Sequence, residues 1–209
     1  MSYPPEPWHL RGQLYLSVWL VPRDRLPPLP DGLAATVRPV TVGGHAIVGT
    51  AWVDYEPGGV LSYRELLSAV LVRERNHPQV TIVDIWVDSP ASRDGGREMW
   101  GIPKELADLE VGSPAPGVVR AAAGGIAEAR ISLGRPLPGR WPTRLSVAQW
   151  LRGRVEVTPV RGRAGIRSAT ATWRVAPAGP LAYLSGRRPW LTVALRDFRM
   201  VFGEPEAGA

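Results

Sequence analysis

The sequence predicts a mainly β chain that folds as an antiparallel barrel or sandwich, and three observations carry that expectation. Apolar and polar residues alternate at period two over six separate stretches, 23 glycines and 22 prolines punctuate the chain between them, and helical spacing is confined to short runs. Many short strands in one chain bury their apolar faces by closing on themselves or by stacking as two sheets.

The elements follow in order. "QLYLSVWLV" (13–21), "HAIVGTAWVDY" (45–55) and "QVTIVDIWVD" (79–88) alternate and are rich in Val, Ile, Thr and Trp, the residues that suit a pleated, half-buried surface. "RVEVTPV" (154–160), "SATATWRV" (168–175) and "WLTVALRDFRMVF" (190–202) repeat the pattern near the C-terminus. "PRDRLPPLPDG", "EPGG", "SPAPG", "GRPLPGRWP" and "APAGP" separate them as turns or loops. Short helices are expected over "PASRDGGREMW" (90–100) and "RLSVAQWLRG" (144–153). A single domain over 1–209 is expected, with about 1–8 and 203–209 flexible at its ends.

Composition excludes several classes of function. Without cysteine there is neither a disulfide framework nor a thiolate metal site, and His9, His45 and His77 show no ligand spacing. No metal is expected. The N-terminal "MSYPPEPWHLRG" lacks the features of a secretory signal, and apolar runs such as "LLSAVLV" are too short to span a bilayer. A cytoplasmic location follows as the expectation, with no membrane partner. The net charge of +6 raises the question of nucleic acid, but the arginines are dispersed apart from small clusters such as "RGRAGIR" at 161–167. No nucleic-acid-binding motif accompanies them, so solvated surface charge accounts for the balance better.

One residue stands out from that dispersed charge. Of the 25 basic residues 24 are arginine, and the single lysine is Lys104, in "GREMWGIPKELA". Either residue can carry a surface charge, but only an amine can lose its proton and attack a carbonyl. Lys104 is therefore a candidate for Schiff-base chemistry, beside the alternative of an ordinary surface lysine. Extended geometry would put Ile102, Lys104 and Leu106 on one face and Pro103, Glu105 and Ala107 on the other. Lys104 would then sit among apolar neighbours, where burial can lower a lysine pKa to roughly 5 to 6. A structural strand whose lysine snorkels to the rim fits the same pattern.

The stretch "DSPASRDGGREMWGIPKELA" resembles the active-site segment of the acetoacetate decarboxylase family, with Gly96, Arg97 and Glu98 as its G-R-E and Pro103 and Lys104 as its P-K. "LSYRELL" is similar to the family's Y-x-E element, and "RRPWLTVALRDFRMVF" to its closing strand. The resemblance implies a cone-like, largely antiparallel β-barrel and a Schiff base on Lys104. It also implies Tyr63 and Glu65 at the site and Arg11 as the counterpart of an N-terminal arginine. No cofactor is implied. The pattern departs in two places: Glu105 replaces the family's second lysine, and Thr50 stands where a second glutamate would fall.

An imine on Lys104 would serve decarboxylation of a 3-oxo acid, aldol chemistry or dehydration alike. Glu65 would shuttle protons if buried, or be a surface glutamate if not. Arg97 and Glu98 read better as a structural ion pair than as pocket lining, and Trp100 and Ile102 as pocket borders. The partners expected are a small carbonyl substrate and further copies of the chain. The rival reading is a non-catalytic barrel that holds an apolar or carbonyl ligand.

Overall fold

The six alternating stretches all become strands, and hydrogen bonding joins them into one ladder. The structure, a computed structural model, describes residues 3–203, so the terminal segments 1–2 and 204–209 lie outside the described residues. In chain order the elements are β1 (Trp8–Pro22), α1 (Asp31–Thr36), β2 (Arg38–Pro39), β3 (Thr41–Val42), β4 (His45–Tyr55), β5 (Tyr63–Glu74), β6 (His77–Val87), α2 (Pro90–Trp100) and β7 (Lys104–Leu106). They continue with β8 (Leu109–Ala115), β9 (Val118–Ala123), β10 (Ala127–Pro136), β11 (Trp141–Leu151), β12 (Arg154–Val175) and β13 (Leu191–Phe202).

Strands β11, β6, β5, β4, β1, β13 and β12 pair in that order, and β11 pairs back onto β12, so the ring closes. Its pairings are antiparallel except at the seam, where β6 and β11 run parallel at Val80 and Val147. This ring agrees with the expected mainly β, cone-like architecture. Strand β12 outruns the ring: its C-terminal half pairs with β10, which continues to β9 and β8 as an overlying sheet.

Two cores result, and alternation feeds both. In β4, Ala51, Val53 and Tyr55 join one cluster with Trp8, Leu10, Ile85, Ile102 and Phe198, inside the ring. Val48 and Trp52 point the other way, into a cluster with Trp19, Leu66 and the small residues Ala121, Ala127 and Ala129 of the overlying sheet. Trp173 of β12 stacks on Trp52 there, with ring centroids 5.8 Å apart.

Two expectations need correction. Residues 144–153 do not form a helix but lie largely in β11, antiparallel to β12 from Trp141↔Ala164 to Leu151↔Arg154. Segments 154–160 and 168–175 are one strand, because "RGRAGIR" continues the ladder, with Arg161 opposite Val201 and Arg163 opposite Arg199. Trp8, at the start of β1, is buried, and its indole Nε1 donates to the Pro4 carbonyl at 2.9 Å. Among the described residues no helix is long and apolar enough to cross a membrane.

Candidate functional site

The site is built where α2 and β7 close over the interior face of β4, β5 and β6. Helix α2 begins with Ser89, whose hydroxyl accepts from the Ser92 amide at 3.3 Å, and with Pro90, which suits the first turn because its missing N–H would have no intrahelical partner. It ends at Gly101, which is left-handed with φ of 65°, and the Ile102 amide returns to the Gly96 carbonyl at 3.0 Å. That reversal sends the chain into β7, which runs parallel to β6 with Lys104 opposite Ile85.

Lys104 is turned inward and only 4% exposed. Its ammonium donates to Glu65 Oε2 at 2.9 Å, to Ser92 Oγ at 2.9 Å and to the Tyr63 hydroxyl at 3.3 Å. An ammonium has three N–H groups, and each has a partner here. The Tyr63 ring lies 5.1 Å and the Trp8 ring 5.9 Å from Nζ, near enough to add cation–π attraction. The other oxygen of Glu65 accepts from the Tyr55 hydroxyl at 3.2 Å. Register explains how these groups converge: Tyr55 is opposite Tyr63 and Val53 opposite Glu65, all on the ring's inner face.

Glycine makes the approach possible. A Cβ on Gly96 would lie 2.7 Å from Lys104 Cδ and 2.9 Å from Cε, and one on Gly95 would lie 2.6 Å from the Trp8 ring. The Gly-Gly pair of α2 is thus the groove in which the lysine stem and the Trp8 indole rest.

The electrostatics correct the expected depression of the Lys104 pKa. Burial disfavours the charged form, but the Glu65 carboxylate and the Tyr63 hydroxyl more than offset it, and the ammonium is held above the usual lysine value. Burial likewise pushes the Tyr63 phenol up to about 12, against the pull of Lys104. Tyr55 rises well above its ordinary value through burial and then the Glu65 charge. The surroundings of the amine are accordingly polar rather than mostly apolar.

The remaining candidates divide. Ile102 is buried, and its carbonyl accepts from the Lys104 amide at 2.8 Å. Trp100 stands one layer out, edge-on to Trp8 at 4.8 Å, with its indole donating to Glu6 at 2.9 Å. Arg11 is exposed with its stem against Gly58, and it is not among the groups that touch the ammonium. Leu106, expected on the lysine's face, is 44% exposed because β7 ends there. Thr50 accepts from the Trp19 indole in the opposite core, so a carboxylate at that position would not face Lys104. Glu105 does face away, paired with Arg97, whose Nε also donates to the Lys104 carbonyl at 2.6 Å. Glu98 pairs with Arg152, so Arg97 and Glu98 have separate partners rather than each other.

Sequence reasoning missed Ser92, Tyr55 and Trp8. Ser92 lies two residues into a predicted helix, where its hydroxyl carries no periodic signal. Tyr55 was open to inference from its alternation with Val53 once the β4–β5 register is known. Among the described residues no cluster of three His, Cys, Asp or Glu side chains could hold a metal.

Comparison with known proteins agrees with the fold. The family model "Acetoacetate decarboxylase (ADC)" matches residues 18–175. The fold is similar to that of acetoacetate decarboxylase from Legionella pneumophila subsp. pneumophila str. Philadelphia 1, with 16% identity, a TM-score of 0.71, and coverage of 100% of this chain and 90% of that one. It is also similar to an acetoacetate decarboxylase-like enzyme from Sphingomonas wittichii RW1, with 17% identity, a TM-score of 0.67 and coverage of 96% and 92%. A third similar structure is the enduracididine biosynthesis enzyme MppR complexed with pyruvate, with 17% identity, a TM-score of 0.64 and coverage of 95% and 88%. No curated protein matches the chain.

Proposed function

Because the chain belongs to the acetoacetate decarboxylase family, whose model matches it over residues 18–175, we propose that it is a lyase that forms a Schiff base between Lys104 and a small 3-oxo or 2-oxo acid. The observation that carries this reading is the chain's single lysine, buried with a carboxylate in direct contact at 2.9 Å. A buried ion pair is poor evidence of a need for stability, since well-packed apolar residues usually do as well or better. Its presence here is better explained by chemistry.

The contacts support the following steps. Lys104 passes a proton to Glu65, and the freed amine adds to the substrate carbonyl carbon. The carbinolamine then loses water, taking a proton from Glu65, and leaves a protonated imine. In a 3-oxo acid the bond to the carboxylate breaks, CO2 departs, and the bonding pair enters the iminium to give an enamine. Protonation of the enamine carbon and hydrolysis release the ketone and restore the amine. With a 2-oxo acid such as pyruvate, which one similar structure holds, Glu65 instead removes a proton next to the iminium, and the resulting enamine adds to an aldehyde. Glu65 then returns the proton to the new alkoxide, and hydrolysis of the iminium frees the product and the amine. Tyr63 and Ser92, already bonded to Nζ, orient the amine in either sequence.

The second reading is a ligand-binding barrel in which Lys104 is structural. It draws on the full satisfaction of the ammonium and on its raised pKa. Turnover separates the two. A panel of 3-oxo acids assayed for CO2, and of pyruvate with aldehydes assayed for condensation, should include a substrate whose kcat/KM falls at least ~10³-fold in Lys104→Arg. No turnover across the panel, or equal turnover by the variant, would favour the binding barrel.

A further inference from the structure

The overlying sheet carries a second feature, on the face turned away from the cores. A cavity of about 930 Å³ is lined there by Arg64, Glu110, Arg120, Glu128, Arg130 and Arg174 among smaller residues. That volume falls within the roughly 300–1,000 Å³ of small-molecule sites. Lys104 is not part of its lining.

Register sets the charge pattern on the cavity floor. One row runs Gly112, Arg120, Arg130, Thr172 across β8, β9, β10 and β12, each residue directly opposite the next. The neighbouring row runs Glu110, Ala122, Glu128, Arg174. The four guanidiniums differ in what holds them. Arg174 lies 3.8 Å from Glu128, and Arg64 lies 3.5 Å from Asp88. Arg120 and Arg130 face each other, and neither has a carboxylate partner among the described residues. Like charges directly opposite on adjacent strands are destabilising, so this pair does not serve the fold. Small neighbours keep the space above it clear, and a Cβ on Gly112 would meet nothing within 4 Å. Glu110 belongs to the neighbouring row, opposite Ala122, which leaves the Arg120–Arg130 row as the positive part of the floor.

We propose that this cavity binds a small polyanion, a molecule carrying phosphate or several carboxylate groups, whose charge is shared between Arg120 and Arg130. The planar guanidinium presents paired N–H donors that match either oxyanion in a bidentate manner, and two of them side by side suit a ligand with more than one negative charge. The site is separate from the Lys104 chemistry and does not depend on it.

Calorimetric titration of the whole chain with citrate, with inorganic pyrophosphate and with acetate, all at one ionic strength, tests the proposal. Citrate or pyrophosphate should bind near 1:1 with Kd below about 1 mM, acetate should give no saturable heat, and the tighter of the two polyanions identifies the preferred charged group. Arg120→Ser/Arg130→Ser should weaken that binding about tenfold or more, as loss of charge-assisted hydrogen bonds does, while Arg188→Ser leaves it unchanged. If near-UV circular dichroism shows the double variant unfolded, Arg120→Gln and Arg130→Gln are compared singly, and each should weaken binding about threefold or more. Absence of polyanion binding, binding matched by acetate, or smaller losses in the variants would overturn the assignment.

Discussion

Replacing Glu65 with glutamine keeps the shape of the side chain and removes the charge that faces Lys104. The two side chains are 4% and 5% exposed, so the ammonium would remain buried with neutral partners only. Breaking a buried pair from one side costs about 3–5 kcal/mol, and the retained amide oxygen places Glu65→Gln near ~3. At about 2–4 °C per kcal/mol for a chain of this size, Tm should fall by roughly 6–12 °C. The pH dependence carries more information than the size. In the native protein the Lys104 pKa is raised, so its contribution is fully present below the ordinary lysine value of about 10.4 and is lost as pH rises through the folded value. In the variant burial acts without the carboxylate, and the folded pKa should drop below the unfolded one. The unfolded chain then binds more protons, and the variant's stability should rise with pH toward that of the native protein. Urea unfolding followed by tryptophan fluorescence at pH 7 and pH 9.5 measures both effects. A deficit below about 1 kcal/mol, or one that does not narrow at the higher pH, would refute the pairing as described.

Gly96→Ala sets two effects against each other. Helix propensity favours alanine by about 1 kcal/mol, but the new Cβ meets the Lys104 stem at 2.7 Å, and overpacking costs about 1–3 kcal/mol. Net destabilisation in urea, together with slower turnover, is expected, whereas a stabilised variant with full activity would show that the groove is not needed. Glu105→Ala removes an exposed partner of Arg97 and should cost less than about 1 kcal/mol while leaving activity intact, as paired unfolding and turnover measurements would show.

Legibility in the sequence varied with how each segment is buried. The β4 and α2 ranges match the expected 45–55 and 90–100, because β4 alternates along its length and α2 is bracketed by Ser89-Pro90 and Gly101. Strand β11 was misread because Val147, Ala148 and Gln149 are all buried, which erases period two where a barrel strand touches both faces. Strands β9 and β10 went unread for a different reason. Their inner faces are largely alanine, a weak strand former, and small residues are what bring the overlying sheet close to Trp19 and Trp52. Within the site, Lys104 was legible from its solitude among arginines, and Glu65 and Tyr63 from family resemblance. The raised pKa was not, since it depends on a contact between residues 39 positions apart that only the β5–β6–β7 register creates.

Borohydride trapping tests the central claim, that Lys104 is the carbonyl-reactive amine, most directly. The chain is incubated with acetoacetate or pyruvate, reduced, digested and mapped by mass spectrometry, which assigns the adduct cleanly because only the α-amine competes with a single lysine. The account predicts a stable secondary amine on Lys104, more of it as pH rises because the raised pKa holds the resting amine protonated, and none at that position in Lys104→Arg. Modification confined to the α-amine, with Lys104 recovered unaltered at every pH, would contradict it.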